Sequence, residues 1–225
     1  MRTIAVALLL FLAPMASAAE PDVEAAVKLL AEPADGSPDL DEAVLEPWPS
    51  LGEDRWVVAA YFEGDETLLK VGVLRKTANG FRLVARGEGV EPETAEPPHK
   101  LWLSAESTTF RISPSEEAIA LHVSNSFNST ARSSSSGALH LFRLHGDKVT
   151  QIFAHVLSYS GGDKADYDDE GNEIPSDEEL EEFEEKSVVF FSKTKTKGFY
   201  NLVVRDLKTK KTTTYRWDGR EYIPR

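Results

Sequence analysis

"TTTYRWDGREYIPR", residues 212–225, closes the chain and reads as a β-hairpin. Asp218-Gly219 supplies the pair of residues that tolerate positive φ in a tight turn, and Trp217 and Tyr222 stand on either side of it, placed to clasp. Two earlier stretches repeat the pattern. "LFRLHGDKVTQI" at 141–152 turns at His145-Gly146, and "VLRKTANGFRLVA" at 73–85 turns at Asn79-Gly80. The turn glycines, Gly80, Gly146 and Gly219, are 66 and 73 residues apart, and each hairpin follows at least one apolar strand pattern. This is a degenerate repeat of antiparallel units. Three such units do not close a propeller ring. The fold class expected is therefore mainly β: antiparallel hairpin units in an open twisted, partial-propeller-like or sandwich assembly, with a short N-terminal helix covering one face or end.

Within that frame "ALHLFRL" at 138–144 carries Leu139 and Leu141 on one face and Phe142 and Leu144 on the other. "SVVFFS" at 187–192 sets Val188 and Phe190 against Val189 and Phe191. Both read as central strands covered on two sides. At the N-terminal end "DVEAAVKLLA", 22–31, has helical spacing with Asp22 as N-cap, and a second short helix is expected over 39–46. Trp48, between Pro47 and Pro49, reads as a packing lid.

Residues 1–18 read as a secretory signal peptide: Arg2, then an apolar run from Ile4 to Leu12 too short to span a bilayer, then Ala16-Ser17-Ala18. The organisation expected is a signal peptide at 1–18, a helical segment at 19–50 and a β domain at 51–225. The chain has no cysteine, so neither a disulfide nor a lipidated cysteine anchors it, and a bacterial periplasmic or secreted location is expected. No later segment suits a transmembrane anchor.

The formal charge of −13 argues against binding nucleic acid or anionic lipid, and leaves cationic partners and metal ions open. The charge is unevenly placed. Residues 161–186 hold 13 acids and two lysines, whereas 187–225 hold ten basic residues and three acids.

Several constellations bear on function. "DYDDEG" at 166–171 sets Asp166, Asp168 and Glu170 at alternate positions before Gly171, with Asp177 at the twelfth position. That is the opening of a calcium loop, with a shorter last ligand than usual and a charged Glu173 at the eighth place. "PSDEELEEFEEK" at 175–186 reads as a capped short helix docked through Leu180 and Phe183. His122, His140 and His155 lie on three successive strands. If the turn sets Leu144 opposite Asp147, or His145 opposite Lys148, His140 and His155 share a face, and if Ser124 pairs with Ala138 His122 joins them, giving three imidazoles suited to Zn²⁺ or Cu²⁺. No nucleophile elbow, phosphate loop or dinucleotide fingerprint occurs.

The stretches "TTFRISPSEEAIALHV", "GALHLFRLHGDKVTQI", "KTKGFYNLVVRD" and "YRWDGREYIP" together resemble a loose group of exported bacterial β-rich proteins of unassigned function, over roughly residues 102–224. The resemblance implies export and β architecture, and no activity. The function expected is that of an exported, non-enzymatic binding protein of the bacterial envelope. Its contacts would be made through a polar loop at 124–137 and an acidic insertion at 161–186, with a cationic protein or a polysaccharide as partner. A divalent-metal protein and a hydrolase without a local motif are the alternatives.

Overall fold

The computed structural model describes residues 22–33, 35–94, 100–106, 109–129, 132–163 and 182–225. Its strands form one open sheet, folded into three antiparallel leaves that pack face to face. The first leaf contains β1 (Ser37–Pro38), β2 (Val44–Pro47), β3 (Arg55–Glu63), β4 (Thr67–Thr77) and β5 (Gly80–Gly87). The middle leaf contains β6 (Lys100–Ala105), β7 (Phe110–Arg111), β8 (Glu117–Asn128), β9 (Arg132–His145) and β10 (Lys148–Asp163). The third contains β11 (Glu182–Thr196), β12 (Phe199–Asp206), β13 (Thr212–Trp217) and β14 (Tyr222–Pro224).

Each leaf carries one of the repeated hairpins. Gly80, Gly146 and Gly219 sit in the turns at φ of 111°, 64° and 125°, a region that favours glycine. The strand β10 joins all three leaves. One of its edges pairs with β9 throughout. The other pairs first with β5, in a short parallel contact of Lys148 with Arg86 and Val149 with Gly87, and finally with β11.

The cores follow from the strand faces. Tyr61, Val71 and Val73 of the first leaf meet Leu121, Val123 and Phe142 of the middle one. On the opposite face of the middle leaf, Leu139, Leu141 and Phe153 meet Leu202, Val204, Trp217 and Tyr222 of the third. So β9 is buried on both faces, as its continuous apolar run requires. The helix α1 (Val23–Lys28), with the Asp22 carboxylate accepting from the Ala25 N–H at 2.9 Å, and the turn that follows it lay Ala26, Val27 and Leu30 on the outer face of the first leaf. Trp48 packs against the first core as a lid.

Four local expectations are corrected. Residues 39–46 are not a helix. The Asp39 carboxylate caps the N–H groups of Asp41 and Glu42 in a turn, and Val44–Pro47 then pair with β3. Most of the described part of 124–137 is not loop: β8 continues to Asn128 and β9 begins at Arg132, Asn125 pairing with Ser136 and Asn128 with Ser133. Residues 182–186 begin a strand rather than ending a helix, although Phe183 does dock, its ring 4.6 Å from that of Tyr159. Lastly, β11 is not a two-sided central strand. Val189 and Phe191 face the core, while Val188 and Phe190 are 40% and 45% exposed.

Candidate binding surface

The middle leaf is longer than the leaves that cover it. At the ends of β8, β9 and β10 the apolar alternation gives way mostly to serine, glycine and asparagine, with Phe127 and Tyr159 as the aromatic exceptions, and less hydrophobic surface remains to recruit a covering layer. Register assembles this end into a polar plate spanning five strands. One row runs Lys100, Ser126, Ser135, Ser160, Glu184; the next runs Trp102, Ser124, Gly137, Ser158, Lys186. Asn128, Ser133, Gly162 and Glu182 make a third. Paired residues in an antiparallel ladder share a face, with strands about 4.8 Å apart.

The plate joins the two segments that the sequence singles out for recognition. Ser134 pairs with Gly161 and Ser133 with Gly162, and Gly161 pairs in turn with Phe183. Its surface is shallow and hydroxyl-rich. Ser135 Oγ and Ser160 Oγ are 3.2 Å apart, and Ser124 Oγ lies 3.2 Å from His122 Nδ1. Gly137 is buried beneath its neighbours: a Cβ there would stand 2.8 Å from His122 Cε1 and 2.9 Å from Ser158 Oγ, so these two side chains close over it. Trp102, 37% exposed, stands at one side with Lys100 Nζ 5.1 Å from its ring centre. Alternation puts it outward, because Leu101 and Leu103 turn toward the first core. Its backbone carbonyl accepts from the Tyr61 hydroxyl at 3.2 Å, which ties β6 to the first leaf.

The three histidines do not form the shared-face arrangement. His145 does oppose Lys148, one of the two turn settings expected. A bulge at Ile152 then shifts the register, so His155 pairs with Leu139 instead of falling beside His140. His122 also pairs with Leu139. His122 and His155 therefore flank Leu139 on one face, and His140, opposite Leu121 and Ala154, points to the other.

His140 is fully buried between the first two leaves. Its Nε2 accepts from the Glu93 N–H at 3.2 Å, which fixes the neutral tautomer with the proton on Nδ1. Burial pushes its pKa down to about 4, with Gln151 pulling the other way. His155 is half-buried beside Phe153 and Tyr215, and burial lowers its pKa as well, against the opposing charge of Glu93. Among the described residues no three His, Cys, Asp or Glu side chains converge as a metal site. The calcium-loop residues Asp166, Asp168, Glu170 and Asp177 lie outside the described residues.

Among the described residues the plate presents no complete set of nucleophile, base and orienting carboxylate. The Ser124–His122 contact is the nearest approach to a nucleophile and base. Among the described residues no carboxylate hydrogen-bonds or ion-pairs with His122 to orient it, and the plate is open to water. A larger cavity, a groove of about 940 Å³, lies where the edge strands β2 and β6 run close without pairing. Val44, Trp48 and Leu103 line it, with Glu46, Glu106 and Glu117, and among the described residues no imidazole or amine lines it. Glu117 is held by Arg111 at 3.3 Å.

Compared with known proteins, the chain matches no family model, no curated protein and no solved structure. The functional reading therefore rests on the geometry of the chain itself.

Proposed function

We propose that this chain is a non-enzymatic binding protein, exported by a bacterium to its envelope or beyond, and that its plate contacts a polysaccharide. The observation that carries the reading is the convergence of both recognition segments on one exposed, hydroxylated sheet face with an outward indole at its side. A sugar ring has a C–H face that packs on an aromatic ring and hydroxyls that exchange hydrogen bonds in both directions. Serine hydroxyls donate and accept alike, and Trp offers a rigid apolar surface with a polar tip.

Charge favours a polysaccharide over a cationic protein. The charged groups of the three rows are Lys100 and Lys186 against Glu182 and Glu184, which balance. A near-neutral plate gives a cationic protein little to be steered by. Binding at single sugar units is weak, and a repeating polymer crossing successive rows compensates through multivalency.

Retention of the mature chain on insoluble cellulose, chitin and purified peptidoglycan tests this. At least one should retain it, and Trp102→Ala should weaken that retention about tenfold, the scale of one aromatic contact plus its burial. Ser135→Arg with Ser160→Arg, which fills the centre of the plate, should abolish it. Retention unaffected by these variants would refute the plate. Binding to a basic protein that is lost on deleting 164–181, with Trp102→Ala harmless, would favour the cationic partner instead.

A further inference from the structure

We infer that the outer face of the third leaf docks on an anionic phospholipid bilayer. Register defines this face. Val188 pairs with Arg205, Phe190 with Val203, and Arg216 with Ile223. Phe190 is 45% exposed and Val188 and Ile223 are each 40% exposed, while Val204 and Trp217 on the inner side of the same leaf are 5% and 3%. Three of the six exposed large hydrophobic side chains among the described residues thus share one flat face, beside Arg205 and Arg216. A soluble protein gains nothing from such grouping unless something covers it.

Charge names the occupant. Residues 187–225 carry ten basic and three acidic residues in a chain whose total is −13. Among the described residues, the recorded ion pairs involve none of those ten cations. Lys197 and Lys210 donate to the Asp218 and Leu207 carbonyls and Lys195 lies over the Tyr200 ring, whereas Arg205 and Arg216 stand exposed on the face itself and can meet an external anion. The net negative charge of the whole chain does not forbid this, because a Debye length of about 8 Å at physiological salt lets the nearest charges decide. Arginine suits phosphate geometry, and a shallow apolar patch between cations suits the boundary of headgroups and acyl chains. A sheet face that sets exposed apolar side chains beside arginines fits a bilayer. The inference stands on different residues from the polysaccharide reading and survives its failure.

Sedimentation of the mature chain with vesicles tests it, using phosphatidylcholine alone and phosphatidylcholine mixed with phosphatidylglycerol. At low salt the bound fraction should be about tenfold higher on the mixed vesicles and should fall as salt rises. Arg205→Glu with Arg216→Glu should abolish the preference, and Phe190→Ser with Ile223→Ser should weaken binding to both vesicle types. All four side chains are outward, so circular-dichroism melts should show both double variants folded. Equal binding to the two vesicle types overturns the proposal, as does wild-type binding by folded variants. Tighter, variant-sensitive binding of soluble polyglutamate would replace the bilayer with an acidic polypeptide.

Discussion

Replacing Trp217 with alanine should lower the unfolding free energy by about 3–5 kcal/mol, the range for truncating a large buried aromatic. The indole is 3% exposed and closes the contact between the middle and third leaves. Phe199 stacks on it at 4.5 Å, Tyr222 meets it edge-on at 5.5 Å across the last hairpin, and the Arg143 guanidinium lies 5.6 Å from its centre. Arg143 is held in turn by a forked pair of hydrogen bonds to Glu116, at 2.9 and 3.1 Å from one terminal nitrogen. The Tyr222 hydroxyl donates to the Tyr200 carbonyl at 3.0 Å, pinning the hairpin to β12. Removing the indole leaves a cavity at the meeting of these groups, so urea unfolding should report the full loss. Trp217→Phe keeps the stacking and should cost less than half as much. A loss below about 1 kcal/mol for the alanine variant would mean that the third leaf does not depend on this clasp.

Acid should destabilise the protein through His140. Its pKa is about 4 in the folded chain, against an ordinary histidine value near 6.5, because burial disfavours the imidazolium. Between those two values the unfolded chain binds more protons than the folded one, so stability rises with pH through this window. It is complete above pH 6.5 and is lost as pH falls toward 4, by an amount on the order of 3 kcal/mol. Urea unfolding at pH 7 and pH 4.5 should show a difference that shrinks by about 2–3 kcal/mol in His140→Gln, which keeps an acceptor for the Glu93 N–H but does not titrate. An unchanged difference would show that His140 is not held neutral.

The hairpins were legible because their signals are local. A glycine in the left-handed region beside Asn, His or Asp is a backbone requirement, and Gly80, Gly146 and Gly219 meet it wherever the leaves end up. The two-sided burial of β9 was legible for the same reason, from one unbroken apolar run. What stayed hidden depends on partners distant in sequence. The bulge at Ile152 leaves no compositional trace, yet it alone decides which face His155 takes. Val188 and Phe190 look like core residues until the third leaf proves to be the outermost. The serine run reads as a loop because serine has no strong strand preference, and it is held extended by its neighbours β8 and β10. Trp102 became a candidate only when register placed it beside Ser124, in a row that ends 84 residues further on at Lys186.

The plate is tested most directly by backbone amide chemical-shift mapping of residues 19–225 titrated with cellohexaose, chitohexaose and a soluble peptidoglycan fragment. At least one should move the amides of Lys100, Trp102, Ser124, Ser126, Ser135, Ser158 and Ser160 together, with the Trp102 indole N–H among the largest shifts. Perturbations centred on the groove between β2 and β6, or saturating sugar that leaves all of these amides in place, would contradict the account.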